Sequence, residues 1–365
     1  MKRKTSVFYF SLAVGACIVL YGCQPKSTAT TGTTWALVPF EKVDSINPVL
    51  QPGENIFHCP VLGKPVAWEI KDVFNPVAVV RENKVYLLFR AEDTVGRFAG
   101  TSRIGLATSD DGLHFSKMQA PVLYPDNDSL QRYEWEGGIE DPRVVESEEG
   151  QYIMTYTGFD GTTARLLLAT SPDLIHWSKQ GTVLQGRHKN TWSKSGAIVA
   201  RREGSKIVAT KVNGKFWMYF GDTDLFIATS TDLLHWTPVL ENGKLKSVLQ
   251  PRKGYFDSFL VESGPYALLT DAGIVLLYNG MNHNTQGDST LAKGAYCGGQ
   301  VLFARNNPTQ VTDRLEKNFI RPDRPYEITG QVNQVCFLEG MVYFHDRWLL
   351  YYGTADSKIG VAVRP

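Results

Sequence analysis

Paired cysteines are missing from this sequence. Of five cysteines in 365 residues, Cys17 and Cys23 fall in an N-terminal stretch, which leaves Cys59, Cys297 and Cys336. An odd count without paired spacing gives no disulfide framework and no zinc site, and leaves room for one bridge at most. A surplus of either charge is missing too, with 38 Lys and Arg against 37 Asp and Glu. Without a basic field there is nothing to hold a phosphate backbone, so nucleic acid is not an expected partner. The apolar run from Val7 to Tyr21 is short for a membrane span. No motif calls for a cofactor or a metal ion.

What is present points to β structure. Aromatics make up 12% of the chain and glycines number 33, a combination that favours short strands and tight turns over long helices. Hydrophobic residues at 43% suffice for a sizeable core. At the N-terminus Lys2, Arg3 and Lys4 precede the apolar run, the layout of a secretory leader. The run ends Leu20-Tyr21-Gly22-Cys23, which resembles a bacterial lipobox, with Cys23 as the lipidated first residue of the mature protein. A Ser/Thr-rich stretch follows. We therefore expect a lipoprotein signal peptide over 1–22, a flexible tether over 23–34 and a folded domain over 35–365. The protein is expected to be exported and lipid-anchored in the cell envelope, on a periplasm-facing outer-membrane surface. Losing the leader removes three bases and turns the charge balance slightly acidic.

An internal repeat organises the domain. KVYLLFRAED (84–93), GQYIMTYTGFD (150–160), GKFWMYFGDTD (214–224), GIVLLYNGMN (273–282) and DRWLLYYGTAD (346–356) share a turn, an aromatic-rich strand and a polar end. They recur at intervals of roughly 60 to 70 residues, and each has one strand before it and a short one after it. Five small antiparallel sheets that cannot bury their faces alone predict an all-β, five-bladed β-propeller with a central axial active-site funnel. Residues near Trp35 to Pro39 are expected to complete the last blade. His114, His176 and His235 repeat within Ser-x-Asp turns and read as structural.

In a propeller the strand ends nearest the axis converge. The first strands bring Asn75, Asp141, Lys194 with Ser195, Glu262 and Asn333 to that point. The second strands add Arg90, Asp93, Asp160, Asp222, Asp224, Asn279, Asn282 and Asp356. With Trp135, Tyr156, Trp217, Tyr278 and Tyr352 as aromatic walls, such a funnel suits a neutral, hydroxyl-rich ligand. Two carboxyl groups across it also fit glycoside chemistry. Asp141 stands out in EGGIEDPR, between glycines that permit close backbone approach and Arg143, which can hold a carboxylate or a sugar hydroxyl.

The segments NPVAVV, LLFRAED, SRIGLATSDDG, GGIEDPRVV, LATSPDLIHW, FDSFLVESGP and YYGTAD, in this order from about Phe74 to Val363, resemble glycoside hydrolase family 130. The resemblance implies a five-bladed propeller acting on β-mannosides, either as an inverting phosphorylase or as a β-1,2-mannosidase that uses water. It also implies that Asp141 is the proton donor, acting through a sugar hydroxyl in the phosphorylases. Phosphorylases of the family carry a His-Arg pair where this chain has Phe220 and Gly221, which offer phosphate neither charge nor donors. Lys194 and Arg165 remain as bases. The expected activity is that of an exo-acting, inverting β-mannosidase on a β-mannoside oligosaccharide, with Glu262 or Asp222 as base. Asn75, Arg90, Asp93, Arg143, Lys194, Tyr278, Asn333 and Asp356 are the expected substrate contacts. The alternatives are a phosphorylase taking inorganic phosphate and a non-catalytic glycan-binding lipoprotein.

Overall fold

The segment GIEDPRVVE, Gly138–Glu146, is buried at all nine positions, as expected of a strand covered on both faces. Its neighbours repeat that habit, and the computed structural model, which describes residues 34–98 and 100–365, is nearly all β. Its helices are the single turns Gln131–Glu134, Gly186–His188 and Pro325–Ile328. The leader, Cys23 and the tether up to residue 33 lie outside the described residues.

Pairing is antiparallel within five successive units. The first joins Asp72–Arg81, Lys84–Glu92, Ser102–Ser109 and Ser116–Lys117. The second joins Gly138–Glu146, Tyr152–Phe159, Ala164–Ser171 and Ser178–Thr182. In the third, Ala197–Glu203 meets Phe216–Phe220, then Leu225–Ser230 and Trp236–Pro238. The fourth runs from Leu260–Ser263 to Ile274–Met281, Tyr296–Ala304 and Asn307–Arg314. Cys336–Phe344, Arg347–Thr354 and Lys358–Arg364 make the fifth, completed by Glu41–Lys42. That N-terminal strand lies beyond the expected Trp35 to Pro39. The earlier residues pack on the fourth unit instead, where the Trp35 indole N–H donates to Asp313 Oδ2 at 2.7 Å and Leu37 N donates to Gln300 Oε1 at 2.8 Å.

Successive units touch through short parallel bridges: Ser102 with Gly138, Glu146 with Val208, Val199 with Ala267, and Tyr296 with Val335. The fifth unit approaches the first, where a side chain at Gly340 would come within 2.8 Å of the Pro76 carbonyl. Three surface turns repeat one bonding pattern. In each, Ser Oγ meets Asp Oδ1 and His Nδ1 meets Asp Oδ2, for Ser109–Asp111–His114, Ser171–Asp173–His176 and Ser230–Asp232–His235.

A second repeat is buried. Tyr156 donates its hydroxyl to Glu134, Tyr278 to Asp257 and Tyr352 to Glu327, at 2.8, 2.7 and 2.8 Å. Each carboxylate also pairs with a base on the outermost strand of its unit: Lys179, Arg314 and Lys42. Glu69 and Lys117 make the same pair in the first unit at 2.7 Å. The expected aromatic lining is corrected here, because Tyr156, Tyr278 and Tyr352 are fully buried with their hydroxyls engaged. Successive side chains on a strand face opposite ways, so the neighbours Thr157, Asn279 and Gly353 take the other face. Trp217 likewise turns its indole N–H to the Val212 carbonyl at 2.9 Å.

Candidate active site

Prolines inside the buried strands mark two of the places where the ladder breaks. Register shifts fall between Phe74 and Pro76, between Glu140 and Arg143, and between Leu338 and Gly340. A bulge tolerates proline and re-aims the side chain beside it. Asn75 and Asp141 sit at two of these bulges with φ of 46° and 50°. Ser195 and Gln334 adopt the same left-handed backbone at 59° and 63°. The fifth unit breaks its own ladder at Glu339, beyond Gln334, so neither Asn333 nor Gln334 is the counterpart of Asn75 by register. Asn333, the residue expected there, is exposed and only accepts from Gly330 N at 3.3 Å.

Asp141 is buried and receives three groups from two other units. Asn75 Nδ2 donates to Oδ1 at 2.9 Å, Arg90 to the same oxygen at 3.2 Å, and Lys194 Nζ lies 3.3 Å from Oδ2. The second carboxylate is Glu262, whose Oε1 accepts from Ser195 Oγ and lies 3.7 Å from Lys194 Nζ. A lysine shared in this way keeps the two oxygens within about 7 Å of each other, close enough for both to act on one sugar ring. Arg90 further pairs with Glu92 at 2.7 Å and Glu140 at 3.0 Å. Asp356 lies in the same field.

Electrostatics divides these carboxyls. Burial would raise Asp141, yet Lys194, Arg90, Arg143 and the Asn75 hydrogen bond overcome it and hold Asp141 well below the usual carboxylate range. Glu262 is raised, mainly by burial, with Asp222 and Asp141 adding to it and Lys194 opposing. Burial pushes Glu140 up to about 7 against the pull of Arg90, and Asp141 reinforces the rise. Asp356 also reaches about 7, from burial first, with Arg90 opposing and Asp141 adding. Lys194 stays firmly protonated. Its burial is outweighed by Glu262, Asp141, Glu140 and Asp222.

Other expected site residues are committed elsewhere. Asp93 accepts from Val95 N, Thr101 N and Arg103, and so braces its own loop. Asp160 does the same with Thr162, Thr163 and Arg165. Arg143 spends its guanidinium on the Gly264, Ser263 and Asp141 carbonyls and on Glu339 at 2.8 Å, which locks three units together. Tyr278 is the buried tyrosine of the fourth unit. Asn279 bridges to Leu338, and Asn282 holds the loop around Asp288. Asp222 accepts the Trp192 indole N–H at 2.8 Å, and Asp224 accepts from Ser247 at 2.7 Å. Phe220 is buried and Gly221 donates its N–H to the Lys194 carbonyl, so neither provides a basic group.

Glu140, Glu92 and Glu339 escaped the sequence reading. Glu140 precedes Asp141 directly, and the repeat places Lys194 and Glu262 one residue before Ser195 and Ser263 in the same way, so the spacing could have revealed it. Among the described residues, no His, Cys, Asp and Glu cluster is arranged to hold a metal ion.

Comparison with known proteins narrows the chemistry. The profile of the glycoside hydrolase 130 family, described as beta-1,4-mannooligosaccharide phosphorylase, matches residues 50–365. A 1,2-beta-oligomannan phosphorylase of Thermoanaerobacter sp. (strain X514) is 31% identical over 81% of this chain and 90% of its own length. A glycosyl hydrolase from Bacteroides ovatus is 47% identical with a TM-score of 0.88, covering 91% of this chain and 96% of that one. Another solved structure is 45% identical, also with a TM-score of 0.88, over 90% of this chain and 94% of its own. Its description states that the GH130 family of mannoside phosphorylases contains glycoside hydrolases that target beta-1,2 mannosidic linkages in Candida mannan.

Proposed function

The chain belongs to glycoside hydrolase family 130, and from that premise we propose that it is an exo-acting, inverting β-mannosidase that cleaves β-1,2-linked mannose with water. In this reading the five units form a five-bladed propeller whose axis carries the site. The charge inventory supports it most directly. Lys194 and Arg90 are already paired with carboxylates, Arg143 is consumed by Glu339 and carbonyls, and Phe220–Gly221 adds no base. A phosphate dianion needs unspent positive charge, whereas a neutral sugar and a water do not. The fit of the chain to a structure described with β-1,2-mannoside hydrolases points the same way.

Asp141 serves the leaving oxygen and Glu262 takes the proton of the attacking water. Asp141 is anionic in the free site, so it must gain a proton before it can give one. The group that opposes its protonation most is Lys194. A mannoside hydroxyl inserted between them weakens that opposition, and Glu140 or Asp356, both held near 7, can supply the proton. Anchoring through a lipid on Cys23 is part of the same proposal and is tested by radiolabelled palmitate incorporation, with Cys23→Ala as the control.

The names of the curated relatives favour a second reading, phosphorolysis. Incubation with β-1,2-mannobiose separates the two. Free mannose in phosphate-free buffer is the expected result, and mannose 1-phosphate formed only when phosphate is added overturns the hydrolase.

A further inference from the structure

Beside Arg90 and Glu140 lies a cavity of about 490 Å³, and two of its walls are the rings of Phe98 and Phe159. These rings are 6.1 Å apart, and Phe159 in turn stands 6.4 Å from Trp192, edge to face. The three make a continuous aromatic row beside the carboxylates. Phe98 and Trp192 remain 43% and 48% exposed, although water is a poor environment for such rings. The row is nevertheless built into the backbone. A side chain at Gly137 would sit 2.3 Å from the Phe159 ring, and one at Gly161 would sit 2.2 Å from Phe98. Trp192 is fixed at its far end by the 2.8 Å bond from its indole N–H to Asp222. Exposed, pre-oriented aromatic faces at the edge of a polar pocket match the apolar C–H faces of pyranose rings.

We propose that Phe98, Phe159 and Trp192 form a binding wall for the mannosyl residues beyond the cleaved one, and that Asp222 is a positioning residue for Trp192. The inference rests on the β-mannosidase reading. Exo cleavage puts the terminal sugar against Asp141 and Glu262, so the remainder of the chain runs outward along the row. Such a wall rewards chain length, because each added sugar finds a ring to cover.

The test compares β-1,2-mannobiose with β-1,2-mannotetraose. Wild type is expected to favour the tetraose in kcat/KM, and Trp192→Ala and Phe98→Ala are expected to shrink that preference at least fivefold, chiefly through KM. Equal losses on both substrates, or an unaltered preference, would overturn the wall. Failure of wild type to release mannose from the mannobiose removes the β-mannosidase reading and this inference with it, an outcome visible before any variant is made. For Asp222 the pair Asp222→Ala and Asp222→Asn decides. Asparagine still offers an oxygen to the indole, so it should keep the length preference and the Trp192 emission that alanine loses. Comparable collapse of kcat in both variants would make Asp222 a catalytic base and refute the positioning role.

Discussion

Lys194 Nζ stands 3.3 Å from Asp141 Oδ2 and thereby sets the charge of the proposed catalytic carboxylate. The same ammonium lowers Glu262, where it is the strongest opponent of burial. Removing it as Lys194→Met makes both acids bind protons more tightly. The acidic limb of the kcat/KM profile should then move to higher pH, because Glu262 must be ionised to act as base. A limb that stays in place would show that Lys194 does not govern these groups.

Asp141→Asn isolates chemistry from shape. Asparagine is among the residues that tolerate a left-handed backbone, so the φ of 50° at this position survives the substitution, and the melting temperature should change little. Turnover of β-1,2-mannobiose should fall by about two to four orders of magnitude, the usual contribution of a general acid or base. Retained turnover would remove Asp141 from the chemistry, and binding without any turnover in wild type would favour the glycan-binding alternative.

Much of this site was readable because its residues sit at ladder breaks that proline announces. Asn75-Pro76 and Asp141-Pro142 advertise a bulge, and the structure brings Asn75, Asp141, Arg90, Lys194 and Glu262 together. The repeat was equally open to reading, and its five aromatic-rich segments all became second strands. What stayed hidden was direction. Period-two alternation decides whether Tyr278 or Asn279 faces the pocket, and without a known register both look eligible. Asn333 was misplaced for a related reason, since no proline marks the fifth unit's bulge, which lies between Leu338 and Gly340. Asp93 and Arg143 were expected as substrate contacts, but their partners Arg103 and Glu339 are hidden in largely apolar strands. No local pattern indicates that they are already spent.

The acids near 7 predict a pH dependence with a definite sign. Glu140 and Asp356 titrate in the fold at about 7, above their ordinary values of 4.5 and 3.8. The folded site thus favours their protonated forms. Their support for the fold is complete below the ordinary values and is lost as pH rises through about 7. Activity that draws its proton from them should decline over the same alkaline range. Asp356→Asn, which cannot ionise, should reduce the loss of melting temperature between pH 6 and pH 8 relative to wild type. An unchanged pH slope would place the titration elsewhere.

Glu327 tests the buried tyrosine, acid and base repeat as a source of stability. Its side chain is fully buried and takes Lys42 at 2.6 Å, Tyr352 at 2.8 Å and the Asp323 and Arg324 N–H groups at 2.9 and 3.0 Å. Lys42 belongs to the N-terminal strand that completes the fifth unit. Glu327→Ala removes one acceptor from the Lys42 ammonium, which keeps Asp323 and the Arg321 carbonyl, and leaves the Tyr352 hydroxyl and two backbone N–H groups without their partner. Breaking a buried pair costs up to about 3 to 5 kcal/mol. Tyr352→Phe removes one hydrogen bond and leaves the ion pair, so it should cost only about 1 kcal/mol. Lys42→Met leaves the Glu327 carboxylate with the Tyr352 hydroxyl and the Asp323 and Arg324 N–H groups as donors, which keeps part of its stabilisation. The expected order in denaturant melts is therefore Glu327→Ala worst, Lys42→Met intermediate and Tyr352→Phe mildest. If Tyr352→Phe matched Glu327→Ala, the hydroxyl rather than the ion pair would be the dominant contact of Glu327.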